Sequence, residues 1–189
     1  MLKVAMARTR SLNLTAVLLL LLSVASCAQV ISTPAIETKF KQRQGFVSDF
    51  ADKLSSGVKQ ELEALLRAYA DRNGIDFAVV LVPFGEMHGQ PIEDYSLALG
   101  REWGIGRGPE KLGLLLLIAI DSADTEGRYH GATRLEVSRN LERDIPNALA
   151  SQIIRTMRAD FQAGRFDKAV KTGVELILAT LSEKRRLPK

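Results

Sequence analysis

The sequence contains one cysteine, Cys27, in 189 residues. A single thiol excludes an internal disulfide and any cysteine-rich metal centre. Histidine is almost as scarce: His88 and His130 stand apart, neither with a ligand-spaced partner, and no Ser-His-Asp arrangement can be argued from spacing. Long apolar runs are missing too. Ala16–Leu22 and Leu114–Ile120 are seven residues each, far short of the about 20 that a spanning helix needs. Tryptophan occurs once, at Trp103. The glycines of Gly104-Ile105-Gly106-Arg107-Gly108 lack the lysine and hydroxyl of a phosphate loop; a helix stop followed by a turn accounts for them.

What is present first is an export signal. Lys3, Arg8 and Arg10 precede the apolar segment Leu14–Val24, the pattern of a signal peptide rather than of a membrane anchor. The segment closes on Val24-Ala25-Ser26-Cys27, which resembles the lipobox of bacterial lipoproteins, whose cysteine becomes the acylated N-terminus. The expected organisation is a signal over residues 1–26, a tether over 27–44, a folded domain over 45–182 and a basic tail over 183–189. Lipidation at Cys27 implies attachment to a membrane, since two or three acyl chains anchor stably where one does not. Ala28 rather than an aspartate follows the cysteine. By resemblance to enterobacterial lipoproteins this favours the periplasmic face of the outer membrane over the inner one. Of 26 basic residues, three are lost with the signal, which leaves 23 against 22 acidic ones. That balance gives no argument for nucleic-acid binding. Lys39, Lys41 and Arg43 in the tether read as a solvated cluster or as a contact to anionic headgroups.

The folded part opens with Gly45–Leu54 as a short extended piece. Ser55 or Ser56 caps a helix with Val58, Leu62, Leu65, Leu66 and Tyr69 at helical spacing, and Asn73-Gly74 ends it. Ile75–Phe84 is a β-branched strand closed by Pro83. Ile92, Tyr95, Leu99 and Trp103 form the stripe of a second helix that stops at Gly104. Leu114–Ile120 has no polar side chain and suits a strand buried on both faces. His130–Ser138 alternates polar and apolar residues, which places it near a sheet edge, in a hairpin with the preceding strand. Pro146 opens a third helix carrying Leu149, Ile153, Ile154, Met157 and Phe161. Gly164 breaks it, and Phe166–Leu181 forms a fourth. The expected fold is α/β, a three-layer α/β/α sandwich with a small mixed sheet.

These residues resemble the TPM domain, the thylakoid-lumen acid-phosphatase family. The matching pieces are V-S-D-F-A-D-K-L-S, I-E-D-Y-S, W-G-I-G followed by G-L-L-L-L-I-A, then R-L-E-V and I-P-N-A-L-A-S-Q-I-I-R. The resemblance implies the same three-layer fold and an extracytoplasmic place. For some members it implies divalent-metal binding and acid phosphatase activity. For others it implies an accessory or assembly role at membrane complexes. Asp49 and Glu142 match family acids. Three positions depart. The family's Asp-Asn before the strand glycine is Lys111-Leu112, its Gly-x-Gly after the next strand is Ser138-Arg139-Asn140, and its helix-opening Asp is Asn147.

The expected metal set is therefore degenerate: Asp49, Glu142 and Asn147, with Ca²⁺ or Mg²⁺ as the cation, which wants several oxygen ligands. A hairpin brings Gly113 beside Ser138 and gathers Lys111, Arg139, Asn140, Glu142 and Arg143 near the third helix's N-terminus. That cluster reads either as a solvated loop with mixed ion pairs or as a cation site converted to anions or a peptide. Crossover topology sends Asp49 to the opposite sheet end unless Gly45–Asp49 runs back along the edge. The function expected is a non-catalytic accessory or interaction module with an envelope protein as partner. The alternative is a metal-dependent acid phosphatase.

Overall fold

The computed structural model describes Phe40 and residues 42–186. Cys27, the signal segment, Lys39, Lys41 and the last three residues of the tail lie outside them.

The elements run β1 (Val47–Asp49), α1 (Ser56–Asn73), β2 (Asp76–Pro83), a 3₁₀ turn (Phe84–Met87), α2 (Ile92–Glu102), β3 (Gly113–Ala123), β4 (Tyr129–Val137), a second 3₁₀ turn (Arg139–Leu141), α3 (Asn147–Gln162) and α4 (Phe166–Arg186). The strands form one sheet in the order β1-β2-β3-β4. β1, β2 and β3 are parallel, and β4 returns antiparallel to β3, with Leu114 opposite Val137 and Ala119 opposite Ala132. This is the expected α/β architecture, with β4 as an edge strand.

Local chemistry sets the element ends. The Ser55 hydroxyl accepts from the Val58 N–H at 3.4 Å to open α1, and Gly74, at φ +65°, closes it with its N–H on the Ala70 carbonyl at 2.8 Å. α2 stops at Trp103, and Gly104 at φ +68° turns the chain away. Gly113 is held between this bend and β3. A Cβ there would stand 2.7 Å from the Gly106 Cα and 2.8 Å from the Ile105 Cγ2, so the bend packs directly on the strand start.

The central strands alternate their side chains between two apolar layers. Phe77, Val79, Leu81, Leu114, Leu116, Ile118 and Leu135 join α1, α3 and α4 on one face. Ala78, Val80, Val82, Leu115, Leu117 and Ala119 join α2, Met87 and Phe40 on the other. Every residue of Leu114–Ile120 is buried, as a strand covered on both sides requires.

The compact chain begins earlier than the expected boundary at Gly45. Phe40 is 1% exposed, its ring meets Phe50 edge-on at 4.9 Å, and its carbonyl accepts the Trp103 Nε1–H at 2.6 Å. Arg43 is not a solvated tether residue either. Its Nη1 donates to both Asp76 carboxylate oxygens at 2.9 and 3.1 Å, and its Nε donates to the Gly45 carbonyl at 2.8 Å. An acceptor at the start of β2 fixes a cation that composition alone assigns to solvent. Among the described residues no helix is long and apolar enough to cross a membrane.

Candidate functional site

The β3–β4 hairpin closes as the strand pattern predicts. The Ser138 N–H donates to the Gly113 carbonyl at 2.9 Å, and the Ser138 hydroxyl accepts the Gly113 N–H at 2.9 Å. The second 3₁₀ turn then lays Asn140 against the loop before β3, where its Nδ2 donates to the Glu110 carbonyl at 3.0 Å. Lys111, in that loop, has φ +52°. This left-handed region favours Asn, Asp and Gly over a long side chain. Lys111, Arg139, Asn140, Glu142, Arg143 and Asn147 are all exposed. Asn147 is the first residue of α3, whose cap position is Pro146 with no side-chain hydrogen bond. The turn is fastened from behind by Asp144, 3.7 Å from Arg185 of α4. Tyr69 lies near the same pair, and burial raises its hydroxyl above the usual tyrosine range.

Asp49 is not part of this cluster. It pairs in register with Leu81, near the end of β2, whereas Gly113 pairs with Asp76 at its beginning. The two rows are five residue steps apart on β2, about 16 Å along the sheet. The edge strand β1 runs parallel to β2, so it carries Asp49 away from Glu142 and Asn147. Asp49 is also engaged locally: one carboxylate oxygen accepts the N–H groups of Lys53 at 2.9 Å and Leu54 at 2.8 Å. Its other oxygen is buried with no hydrogen-bond partner. Asp49 therefore does not share a sheet end with Glu142 and Asn147, whereas a hard cation needs several oxygen ligands together. No group of three His, Cys, Asp or Glu side chains that could hold a metal occurs among the described residues.

Two features escape sequence reading. On the α2 face of β4, Glu136 accepts from the Ser96 hydroxyl at 2.7 Å and from the Arg134 Nε at 2.8 Å. This network borders a cleft of about 250 Å³ that also holds Arg101, Arg107 and Ser138. On the other face a larger cavity of about 380 Å³ lies between the first half of β4 and the end of α3. His130 is at its mouth, hydrogen-bonded through Nε2 to Asp124 at 2.9 Å. That contact, more than those from Arg128, holds the Asp124 carboxyl far below the usual carboxylate range. Only the alternation of β4 and the stripe of α3 pointed here, and neither shows that the two elements border one cavity.

The sheet end therefore offers exposed cations, the carboxylates of Glu110, Glu142 and Asp144, and a helix start without a side-chain cap. Among the described residues it brings no nucleophile and base into hydrogen-bond contact. Together with the fold this defines an α/β/α domain whose glycine bend and hairpin border a solvent-facing loop cluster of mixed charge. The chain belongs to the TPM-domain family, whose model matches residues 47–180. It is similar to the solution NMR structure of the N-terminal domain of a protein from P. gingivalis. The two share 29% identity over 74% of this chain and 83% of that one, with a TM-score of 0.61. No curated protein matches the chain.

Proposed function

We propose that this TPM-domain protein is a lipid-anchored, non-catalytic accessory or interaction module of the bacterial cell envelope. The observation that carries the reading is the separation of its carboxylates. Asp49 closes a turn at one sheet end while Glu142 and Asn147 stand at the other. Lys111 places a positive charge where the family's resemblance implies an acid. Phosphoryl transfer rests on positioning and on charge stabilisation of the phosphoryl oxygens, and a divalent cation needs clustered oxygen ligands to supply it. The signal and the lipobox-like Val24-Ala25-Ser26-Cys27 support anchoring through Cys27 at the periplasmic face of the outer membrane.

Activity is tested on the full chain in mild detergent, with a chromogenic phosphate ester and Ca²⁺, Mg²⁺ or Mn²⁺. Hydrolysis at the buffer rate is expected. Turnover well above buffer that disappears in Glu142→Ala overturns the non-catalytic reading. Anchoring is tested with Cys27→Ala, which should abolish acylation, and with globomycin, which should make the precursor accumulate. An unchanged processing pattern rules the anchor out.

A further inference from the structure

The geometry points to the groove between the β4 edge and α3 as a docking site for an extended acidic segment of a partner protein, added to the sheet as a fifth strand. This deepens the interaction reading above and rests on it for its biological sense.

The backbone pattern supplies the first half. The Ser138 N–H to Gly113 carbonyl bond makes that pair a hydrogen-bonded one. In an antiparallel ladder such pairs alternate. Ala132, Arg134 and Glu136 therefore bond to β3, while Gly131, Thr133, Leu135 and Val137 turn their N–H and C=O groups outward. The Asp76 N–H on the Leu112 carbonyl agrees, because it assigns the even residues of β3 to β2. No hydrogen bond within the described residues fills the outward groups. They extend over about 20 Å, room for a strand of six or seven residues.

The side chains supply the second half. The cavity beside this edge is about 380 Å³, floored by Ile118 and Ile120 and walled by Ile154, Phe161 and Phe166. Ile154, Arg158 and Phe161 come from one face of α3 at spacings of four and three, so helix and strand edge bound a single groove. An extended guest would place alternate side chains in it, the arrangement that gives strand addition its specificity. The charge decides the occupant. Arg158 lines the groove, is exposed, and makes no ion pair with a described residue. Lys53 lies over the Tyr129 and Phe166 rings at 5.2 and 5.8 Å and adds a second cation nearby. Of the acids on the bordering elements, Asp124 is engaged by Arg128 and His130, Asp160 by Arg165 and Lys168, and Asp167 by the Ser55 N–H. A carboxylate-bearing segment matches Arg158 and Lys53. A second copy of this edge does not, since it brings the same cations.

The test uses the full chain in detergent and a fluorescein-labelled heptapeptide of alternating valine and threonine ending in glutamate with a free carboxylate. The same peptide ending in lysine amide is the control. Anisotropy should show the acidic peptide binding at least about tenfold tighter. Thr133→Pro removes an outward N–H from an edge position where proline is tolerated, and Arg158→Glu reverses an exposed charge. Both should keep the native circular dichroism. Thr133→Pro should weaken both peptides, whereas Arg158→Glu should reverse their order. Hydrogen exchange at the outward amides of Gly131, Thr133, Leu135 and Val137 should be faster than at Ala132, Arg134 and Glu136 in the free chain and slow with the acidic peptide. The proposal is overturned if the peptides bind alike, if binding ignores both substitutions, or if the edge amides are already protected in the free chain, which assigns the groove to the chain's own residues. A dimer dispersed by Thr133→Pro overturns it in favour of self-pairing. Lost peptide binding with phosphatase turnover still at the buffer rate sinks the groove alone. Turnover in the unmodified chain sinks the non-catalytic reading alone.

Discussion

Asp49 ends β1 and then holds the turn that follows it. The Lys53 and Leu54 N–H groups converge on one of its oxygens, so the side chain substitutes for the strand pairing that stops at Asp49. The second oxygen is buried without a partner, a cost the turn must offset. Two substitutions separate a structural role from a metal-binding one. Asp49→Asn keeps an acceptor for both N–H groups and should melt within a few degrees of the unmodified chain. Asp49→Ala leaves the buried Leu54 N–H and the half-buried Lys53 N–H unpaired, and should cost roughly 1–3 kcal/mol in urea denaturation. A metal ligand reverses the informative result: Asp49→Asn would then abolish a rise in melting midpoint with Ca²⁺. The same carboxylate shows why matching a family acid in sequence does not place it in a site. The position is kept by a turn five residues long, not by the sheet end where Glu142 stands.

At the level of elements, legibility follows how local the cause is. β3 could be read because burial on both faces leaves Leu114–Ile120 no polar side chain. β4 could be read because one polar face gives Arg134, Glu136 and Ser138 a period of two. The helices announced themselves through Ser55, Gly74 and Gly104. β1 could be read only as part of a longer extended piece, Gly45–Leu54: its three residues carry no period, and two of them, Ser48 and Asp49, are polar yet buried. Pairing with Val79, Val80 and Leu81 makes it a strand, and that cause is distant in sequence. The juxtaposition of Gly113 and Ser138 was legible for the opposite reason, since a hairpin fixes its own register. The groove was not, because nothing local tells on which edge α3 comes to rest. Phe40 is the element-scale surprise, a core residue contributed by what reads as tether. Phe40→Ala should cost about 3–5 kcal/mol. Because its carbonyl receives the Trp103 Nε1–H and Trp103 is the only tryptophan, the loss has its own reporter. Native-state fluorescence should shift to the red as the indole gains water. An unchanged spectrum with unchanged stability would return Phe40 to the tether.

Across the whole molecule, ion pairs tie the helices together and fix how stability answers pH. Arg165, then Lys168, holds the Asp160 carboxyl below its usual range at the junction of α3 and α4. His130 and Arg128 do the same for Asp124 in the β3–β4 loop. A carboxyl depressed in the folded chain stabilises above the ordinary carboxylate range, and that contribution disappears as pH falls through the depressed value. Glu61 of α1 raises Lys171 of α4 through a 2.9 Å hydrogen bond. A raised lysine contributes fully below the ordinary lysine range and loses its contribution as pH climbs through the raised value. Tyr69, raised by burial, adds to the same alkaline loss because folding holds its proton. The melting midpoint should therefore be level from about pH 6 to about pH 9 and fall on both sides. The limbs belong to different residues, which makes the assignment separable. Asp160→Asn should flatten part of the acid limb and leave the alkaline one. Lys171→Met should flatten part of the alkaline limb and leave the acid one, while loosening α1 from α4. Midpoints followed by circular dichroism from pH 3 to pH 11 check both at once. All these groups except Tyr69 lie at the surface, so 1 M salt should shrink the two differences together. A limb that keeps its full depth in its own variant removes that ion pair from the account.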